Sequence, residues 1–262
     1  MPLIAMTREM GSLGKDVAAI VAEQMGKAVV YHEIIEHLAN KMRLRKSHVI
    51  RFLDGKANIW ERLTADETSM AIYTASELLA LAESNSVAVI RGWGAAHLLR
   101  PIGHVICVRV CAPMAVRVQR MMERLGTEDE AFVTNEINLS VEAVTAITRR
   151  HFGVSWQHSD RYDLVLNTER ISVEECADEL MALVADPEFQ ETDHTMQTLK
   201  NLALESHVRA ALRADLRTAK MQISVCADMG TITLAGGVGR DPPSGLASEI
   251  AANVAGVKEV RT

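Results

Sequence analysis

Residues 7–16 read Thr7-Arg8-Glu9-Met10-Gly11-Ser12-Leu13-Gly14-Lys15-Asp16, a glycine-bearing turn between an apolar run, Leu3 to Met6, and an amphipathic run that begins at Lys15. A strand that feeds such a turn into a helix aims successive backbone N–H groups and the positive end of the helix dipole at one point. That convergence suits a phosphate, and Lys15 adds a mobile ammonium for the outer oxygens. The spacing approaches G-x-x-x-x-G-K-[ST] but departs from it twice. Glu9 stands where the first Gly belongs, and Asp16 where a Mg²⁺-binding hydroxyl belongs. The spacing argues for phosphate and the departures argue against an ordinary ATPase; a helix start with a flexible entry is the plainer alternative.

Short β-branched runs alternate with longer helical ones through the first 185 residues. The pattern predicts strands over Leu3 to Met6, Ala28 to Tyr31, Val87 to Ile90, Val105 to Val110 and Asp163 to Leu166. Helices are expected over Lys15 to Met25, Glu33 to Met42, a long region from Ser47 to Glu83, Ala115 to Leu125, Glu136 to His151 and Val173 to Ala185. Alternation of this kind makes a parallel sheet with helices on both faces, and ligands bind at the carboxyl ends of its strands. The turn at Gly11 falls at such an end.

A hydrophobic content of 48% in 262 residues supports a real core in one large or two modest domains. The formal charge of −6 gives no global reason to bind nucleic acid or an anionic membrane, so a phosphate site must be a local basic cluster. No run of 18 apolar residues and no leader pattern occurs, which reads as a cytoplasmic chain without a transmembrane segment. Cys107, Cys111, Cys176 and Cys226 form no C-x-x-C pair and read as buried reduced thiols. His32 and His37 are five residues apart, about 140° around a helix, which excludes the H-E-x-x-H zinc arrangement.

Several segments occur in the order of the cytidylate kinase-like family: Ile4 to Lys15, Val30-Tyr31-His32-Glu33, Val89-Ile90-Arg91-Gly92-Trp93-Gly94-Ala95, Tyr162 to Thr168 and Ile171 to Glu175. The chain resembles that family over residues 1–185. The resemblance implies a P-loop α/β fold, ATP and Mg²⁺ as cofactors, and a nucleoside monophosphate as substrate. It also makes the Arg-Glu pair ahead of Gly-Ser-x-Gly a feature of this branch. Arg91 takes a place where cytidylate kinases carry an acidic residue, and His32 one where the family often has Asp; His32 reads as a helix-start contact.

In this reading Gly11, Ser12, Leu13, Gly14, Lys15 and Asp16 cradle the ATP phosphates, and Asp16 is the candidate metal ligand. Arg117, Arg120 and Arg124 follow at i, i+3 and i+7, so one helical face carries three guanidiniums. Arg grips phosphate oxygens bidentately and keeps its proton. Arg91, Arg117 and Arg120 are the expected acceptor-binding groups, with Arg124 on a solvated face. Arg149-Arg150 falls where the family's lid helix carries arginines, and adjacent helical residues diverge by about 100°, so at most one of the two faces the site. Phosphoryl transfer asks mainly for positioning and positive charge, which these groups supply. The competing reading, favoured by Glu9, Asp16 and Arg91, is a catalytically degenerate nucleotide sensor.

Residues 186–200 open with the acidic, proline-bearing Asp186-Pro187-Glu188-Phe189 and read as a linker. Beyond them the pattern predicts a helix over His207 to Leu216, strands over Met221 to Ala227 and Thr231 to Ala235 about a turn at Met229-Gly230, a helix over Ser248 to Val254, and a short strand ending at Arg261. This αββαβ order, with Gly230-Thr231-Ile232-Thr233-Leu234-Ala235-Gly236 and a terminal Gly256-Val257-Lys258-Glu259-Val260, resembles the BON domain. The resemblance implies a module over 201–262 for surface binding or self-association. The organisation expected is thus a nucleotide-binding α/β domain over 1–185, a linker, and a small α+β domain.

Overall fold

The computed structural model describes residues 1–31, 33–42, 44–47, 49, 67–92, 94–236 and 245–262. The expectations at His32 and Trp93, and the helical reading of 50–66, lie outside the described residues. Chain contacts divide the protein into two compact units, Met1–Ala65 with Asn85–Glu191, and Asp66–Ser84 with Thr192–Thr262.

In the first unit five strands, β1 (Leu3–Arg8), β2 (Ala28–Val30), β3 (Val87–Arg91), β4 (Val105–Cys111) and β5 (Leu164–Asn167), form one sheet in the order β2-β3-β1-β4-β5. Every neighbouring pair is parallel. β1 is central, with Ile4 opposite both Val89 and Ile106. It is buried on both faces, which is why Leu3 to Met6 reads as an unbroken apolar run rather than an alternating one. Pairing continues past the strand ends, through Glu9 N–H to Val110 O (3.0 Å) and Gly92 N–H to Met6 O (2.9 Å).

Helices α1 (Gly14–Met25) and, after a second helix α2 (Glu33–Met42), others cover the sheet. On one face Val17, Ala18 and Val21 of α1 pack with Cys176, Ala177 and Leu180 of Val173–Ala185 over Ile4, Met6, Ile106 and Val108. Their spacing is the apolar stripe that a helix lays on a core. The connections leave β1 for β2 and β3 on one side and for β4 and β5 on the other. The turn after β1 therefore opens at the carboxyl edge where they diverge, the position that α/β sheets use for ligands.

The second unit begins with helix α3 (Glu67–Glu83), then resumes after a short helix α4 (Ala95–Leu98) and helices α5 (Met114–Leu125), α6 (Glu130–Phe152) and α7 (Val173–Ala185) of the first. Its main helix, α8, spans Asp193–Ala214, so the expected linker is helical from Asp193 onward. Thr192 caps it reciprocally with Thr195, a capping box written in two threonines. Strands β6 (Ile223–Asp228) and β7 (Thr231–Gly236) form an antiparallel hairpin, and β8 (Glu259–Arg261), after helix α9 (Gly245–Ala252), pairs parallel to β7. Met229 (φ +49°) and Gly230 (φ +95°) both have positive φ, the backbone of a type I′ turn.

α8 has two apolar faces. Leu204, Val208 and Leu212 meet Val225, Ala227, Ile232 and Leu234 of the sheet and Ala247 and Ala251 of α9. Leu199, Ala203, Ser206 and Ala210, also buried, run up another side at helical spacing, and α8 packs against α3. Arg213 Nε donates to Ser69 Oγ at 2.7 Å at the far end of that contact. The four cysteines are free thiols; Cys107 and Cys176 are buried, but Cys226 is exposed, because the alternation of β6 turns it away from the core that holds Val225 and Ala227. Burial pushes the Cys107 thiol up to about 12, which leaves it unreactive.

A fragment spanning 192–262 leaves the α3-facing side of α8 in water. Such a fragment is expected to unfold without a cooperative transition in urea, and joining residues 66–84 ahead of it is expected to restore one. Far-UV circular dichroism of both against urea makes the comparison.

Candidate functional site

The turn between β1 and α1 has its direction set by two left-handed residues, Gly11 (φ +82°) and Leu13 (φ +59°). A Cβ on Gly11 would lie 2.7 Å from the carbonyl oxygen of Arg117, so no larger residue fits. A Cβ is also crowded at Gly14, 2.9 Å from Cβ of Arg8. Leu13 costs about 1–2 kcal/mol in this conformation, and the fold must hold it there. Its carbonyl accepts from Asp16 N–H (2.9 Å) and Val17 N–H (3.1 Å), with no side-chain cap. The amides of Gly14 and Lys15 open the first turn of α1, where N–H groups have no intrahelical acceptor and the positive end of the dipole lies behind them. Lys15 and Asp16 are exposed; Ser12 is fully buried, and its Oγ has no hydrogen-bond partner.

Two braces fix this turn. The first is Glu9, whose carboxylate is buried. Its Oε1 accepts from Arg109 Nη2 at 2.6 Å, and its Oε2 lies 3.3 Å from Arg117 Nε and accepts from Ala112 N–H at 3.4 Å. Arg109 lies over the Trp156 ring at 5.2 Å and donates to Gln157 O, so Glu9 is tied through it to the segment after α6. The second brace is Thr168, just past β5. Its hydroxyl donates to Ser12 O (2.9 Å) and accepts from Arg120 Nη1 (2.9 Å), while Arg120 Nη2 donates to Thr168 O (2.7 Å).

Arg117 and Arg120 thus lie together beneath the loop with their guanidiniums on the protein's own oxygens. Arg117 Nε donates to Ala112 O at 3.0 Å, and its buried Nη1 has no partner. Arg91 is elsewhere, at the end of β3. It is buried, its guanidinium lies 4.5 Å from the Tyr31 ring centroid, and its Nε has no partner. Burial pulls its proton affinity below the ordinary arginine value. Arg8 and Arg124 push it the same way, while Tyr31 and Asp16 oppose them. Arg8 and Arg124 are therefore near enough to Arg91 to disfavour its charge, and Asp16 near enough to favour it.

Neither Arg8 nor Arg124 is an expected acceptor group. The available signals are that Arg8 ends the central strand and that Arg124 lies one turn beyond Arg120. Arg149 is exposed on α6, and the side chain of Arg150 lies outside the described residues. Among the described residues no group of three or more His, Cys, Asp or Glu side chains gathers as a metal site. Asp16 offers one carboxylate at the mouth of the loop, which fits a Mg²⁺ that takes its remaining oxygens from phosphate and water. The helix-start amides of Gly14 and Lys15 fit a polyphosphate.

A family model described as the cytidylate kinase-like family matches residues 3–170. Among solved structures, an uncharacterized protein from Eubacterium ventriosum is similar with a TM-score of 0.54 at 20% identity, covering 70% of this chain and 98% of that one. A shikimate kinase from Acinetobacter baumannii in complex with shikimate is similar with a TM-score of 0.44 at 14% identity, covering 72% and 96%. No match was found among curated proteins. No described helix is long and apolar enough to cross a membrane.

Glu9→Ala leaves the buried guanidiniums of Arg109 and Arg117 without their shared counter-charge. Breaking a buried pair from one side costs about 3–5 kcal/mol, and that loss is expected in the urea unfolding free energy of the first unit. Glu9→Gly, although it restores the usual loop residue, is expected to cost as much.

Proposed function

From its membership of the cytidylate kinase-like family, to which this chain belongs, we infer an enzyme that moves the γ-phosphoryl group of ATP to a nucleoside monophosphate. The observation that carries this reading is Arg91, a buried guanidinium with an unpartnered Nε, in one electrostatic field with Arg8 and Arg124 beside the loop. A buried donor without an acceptor costs about 1–3 kcal/mol, and a phosphate oxygen would relieve it. Family membership supports a nucleotide kinase-like function; the acceptor is part of the proposal.

In this reading the amides of Gly14 and Lys15 and the Lys15 ammonium hold the β- and γ-phosphates. Arg91, Arg8 and Arg124 hold the acceptor phosphate, while Arg117 and Arg120 keep the loop in its left-handed turn. An acceptor oxygen attacks the γ-phosphorus, the bond to the β,γ-bridging oxygen breaks, and ADP leaves. Arg149 or Arg150 neutralises charge on the group in flight. Mg²⁺ would supply positive charge to offset that of the phosphates; Asp16 is the one carboxylate of the loop that could hold it, and its exchange for Ser, below, decides that role.

A second reading rests on Glu9 and Asp16. A loop that has exchanged its first glycine for a structural carboxylate, and its hydroxyl for an exposed one, also suits a nucleotide sensor without turnover. There the second unit, α8-β6-β7-α9-β8, serves as a BON-like module for self-association or surface docking. Both readings place the protein in the cytoplasm.

Coupled ADP release with each nucleoside monophosphate in turn separates them: turnover with one acceptor supports the enzyme, and ATP binding without turnover supports the sensor. Lys15→Ala is expected to weaken ATP binding by about 1.5–3 kcal/mol in calorimetry, the range for hydrogen bonds to charged groups. Arg91→Met is expected to leave ATP affinity within twofold and to raise the acceptor KM at least tenfold. Asp16→Ser is expected to tighten binding of ATP with Mg²⁺; weaker binding would instead mark Asp16 as the metal ligand. Unchanged ATP affinity in Lys15→Ala would overturn the phosphate-loop reading.

A further inference from the structure

The second unit contains a pocket of about 500 Å³ between the end of α3, the first half of α8, the tip of the β6–β7 hairpin and the segment before β8. That volume lies within the range of small-ligand sites, about 300–1,000 Å³. Four charged or titratable side chains line it: Glu83, Lys200, His207 and Lys258. Burial pushes the Glu83 carboxyl up, and the neighbouring His207 and Lys200 draw it back down, so the three lie within electrostatic reach of one another. No ion pair within 4.0 Å joins Glu83 to either of them. An exposed carboxylate and two exposed lysines thus line one concave surface with no ion pair joining Glu83 to Lys200.

The wall is built rather than incidental. Lys258 Nζ donates to Met229 O at 3.3 Å, and the lysine stem lies on Gly230, where a Cβ would come within 2.9 Å of its Cδ. Asn201 Oδ1 accepts from Met229 N–H at 3.0 Å and from Gln197 Nε2 at 2.8 Å. The hairpin tip and the Lys258 ammonium therefore have fixed places relative to α8.

We propose that this pocket binds a small zwitterion of the α-amino acid class, its carboxylate taken by Lys200, His207 and Lys258 and its ammonium by Glu83. A bare anion meets Lys200 and Lys258 but also the carboxylate of Glu83. A bare cation meets Glu83 and is repelled by the rest. A ligand that carries both signs a few bonds apart satisfies every charge in the pocket without requiring any of them to change its protonation state. None of the loop groups of the first unit lines the pocket, so the inference stands whether or not the chain transfers phosphate.

Titration calorimetry on the full chain with each standard α-amino acid in turn provides the test, with succinate, inorganic phosphate, putrescine and phosphatidylglycerol vesicles as comparisons. One-to-one binding of at least one amino acid is expected, weakened tenfold or more in both Glu83→Gln and Lys200→Gln. Circular dichroism establishes that each variant is folded, and His207→Gln replaces any that is not. Absence of amino acid binding overturns the proposal, as does an affinity unchanged in Glu83→Gln. Tighter binding of phosphate or of vesicles than of any amino acid, strengthened in Glu83→Gln, also overturns it, because the pocket then takes an anion alone.

Discussion

A carboxylate as buried as that of Glu9 is stable only beside positive charge, and the two guanidiniums that supply it come from β4 and α5. Neither partner is local. Arg109 also stacks on Trp156, and Arg117 also holds Ala112 O, so one ion-pair cluster joins the end of the central strand, its neighbour, the following helix and the segment after α6. The phosphate-loop geometry depends on this cluster, because Gly11 lies directly against the Arg117 backbone. The residue that departs most from the usual loop pattern is the one that anchors the loop. Its presence leaves the proposed anion site intact, since the helix-start amides of Gly14 and Lys15 lie five and six residues further on.

The basic side chains fall into two tiers with different chemistry. Arg120 is held by protein oxygens, and Arg117 by Glu9 and Ala112 O with its Nη1 left over, and both act on the backbone. Arg8 and Arg124 both disfavour the charge of Arg91, and the burial of Arg91 strengthens every interaction it makes. The Tyr31 ring offsets part of that cost through its π-face, an attraction worth about 0.5–2 kcal/mol. In a chain whose formal charge is −6, the positive potential at the strand ends comes from placement and burial, not from composition.

The strands of the first unit were legible because parallel strands covered on both faces must be continuous apolar runs, and Leu3 to Met6 and Val87 to Ile90 are such runs. The start of α8 was not. Asp193 to Lys200 is polar and follows a proline-bearing acidic turn, and its helicity depends on the Thr192 cap and on burial of Leu199 against a helix more than a hundred residues earlier. Sequence periodicity found the face that Arg117 and Arg120 share. It could not find their partners, because Glu9 and Thr168 are 108 and 48 residues away and become neighbours only through the sheet order. Cys226 shows the same limit in miniature: an apolar neighbourhood in sequence does not say which side of a strand is covered.

Asp16 links the loop to the guanidinium cluster. In the first turn of α1 a carboxylate interacts favourably with the helix dipole, and here its charge also supports the protonated form of Arg91. It is the acidic group that favours the charge of Arg91 against the effect of Arg8 and Arg124. A phosphate entering the loop competes with it for the same positive charge and is repelled by it across the same space. A singly charged anion gains little from that exchange. In the proposed reading a polyphosphate, which brings several charges and reaches both the amides of Gly14 and Lys15 and the arginines beyond, would gain from both at once, so Asp16 would act against weakly charged ligands more than against nucleotides.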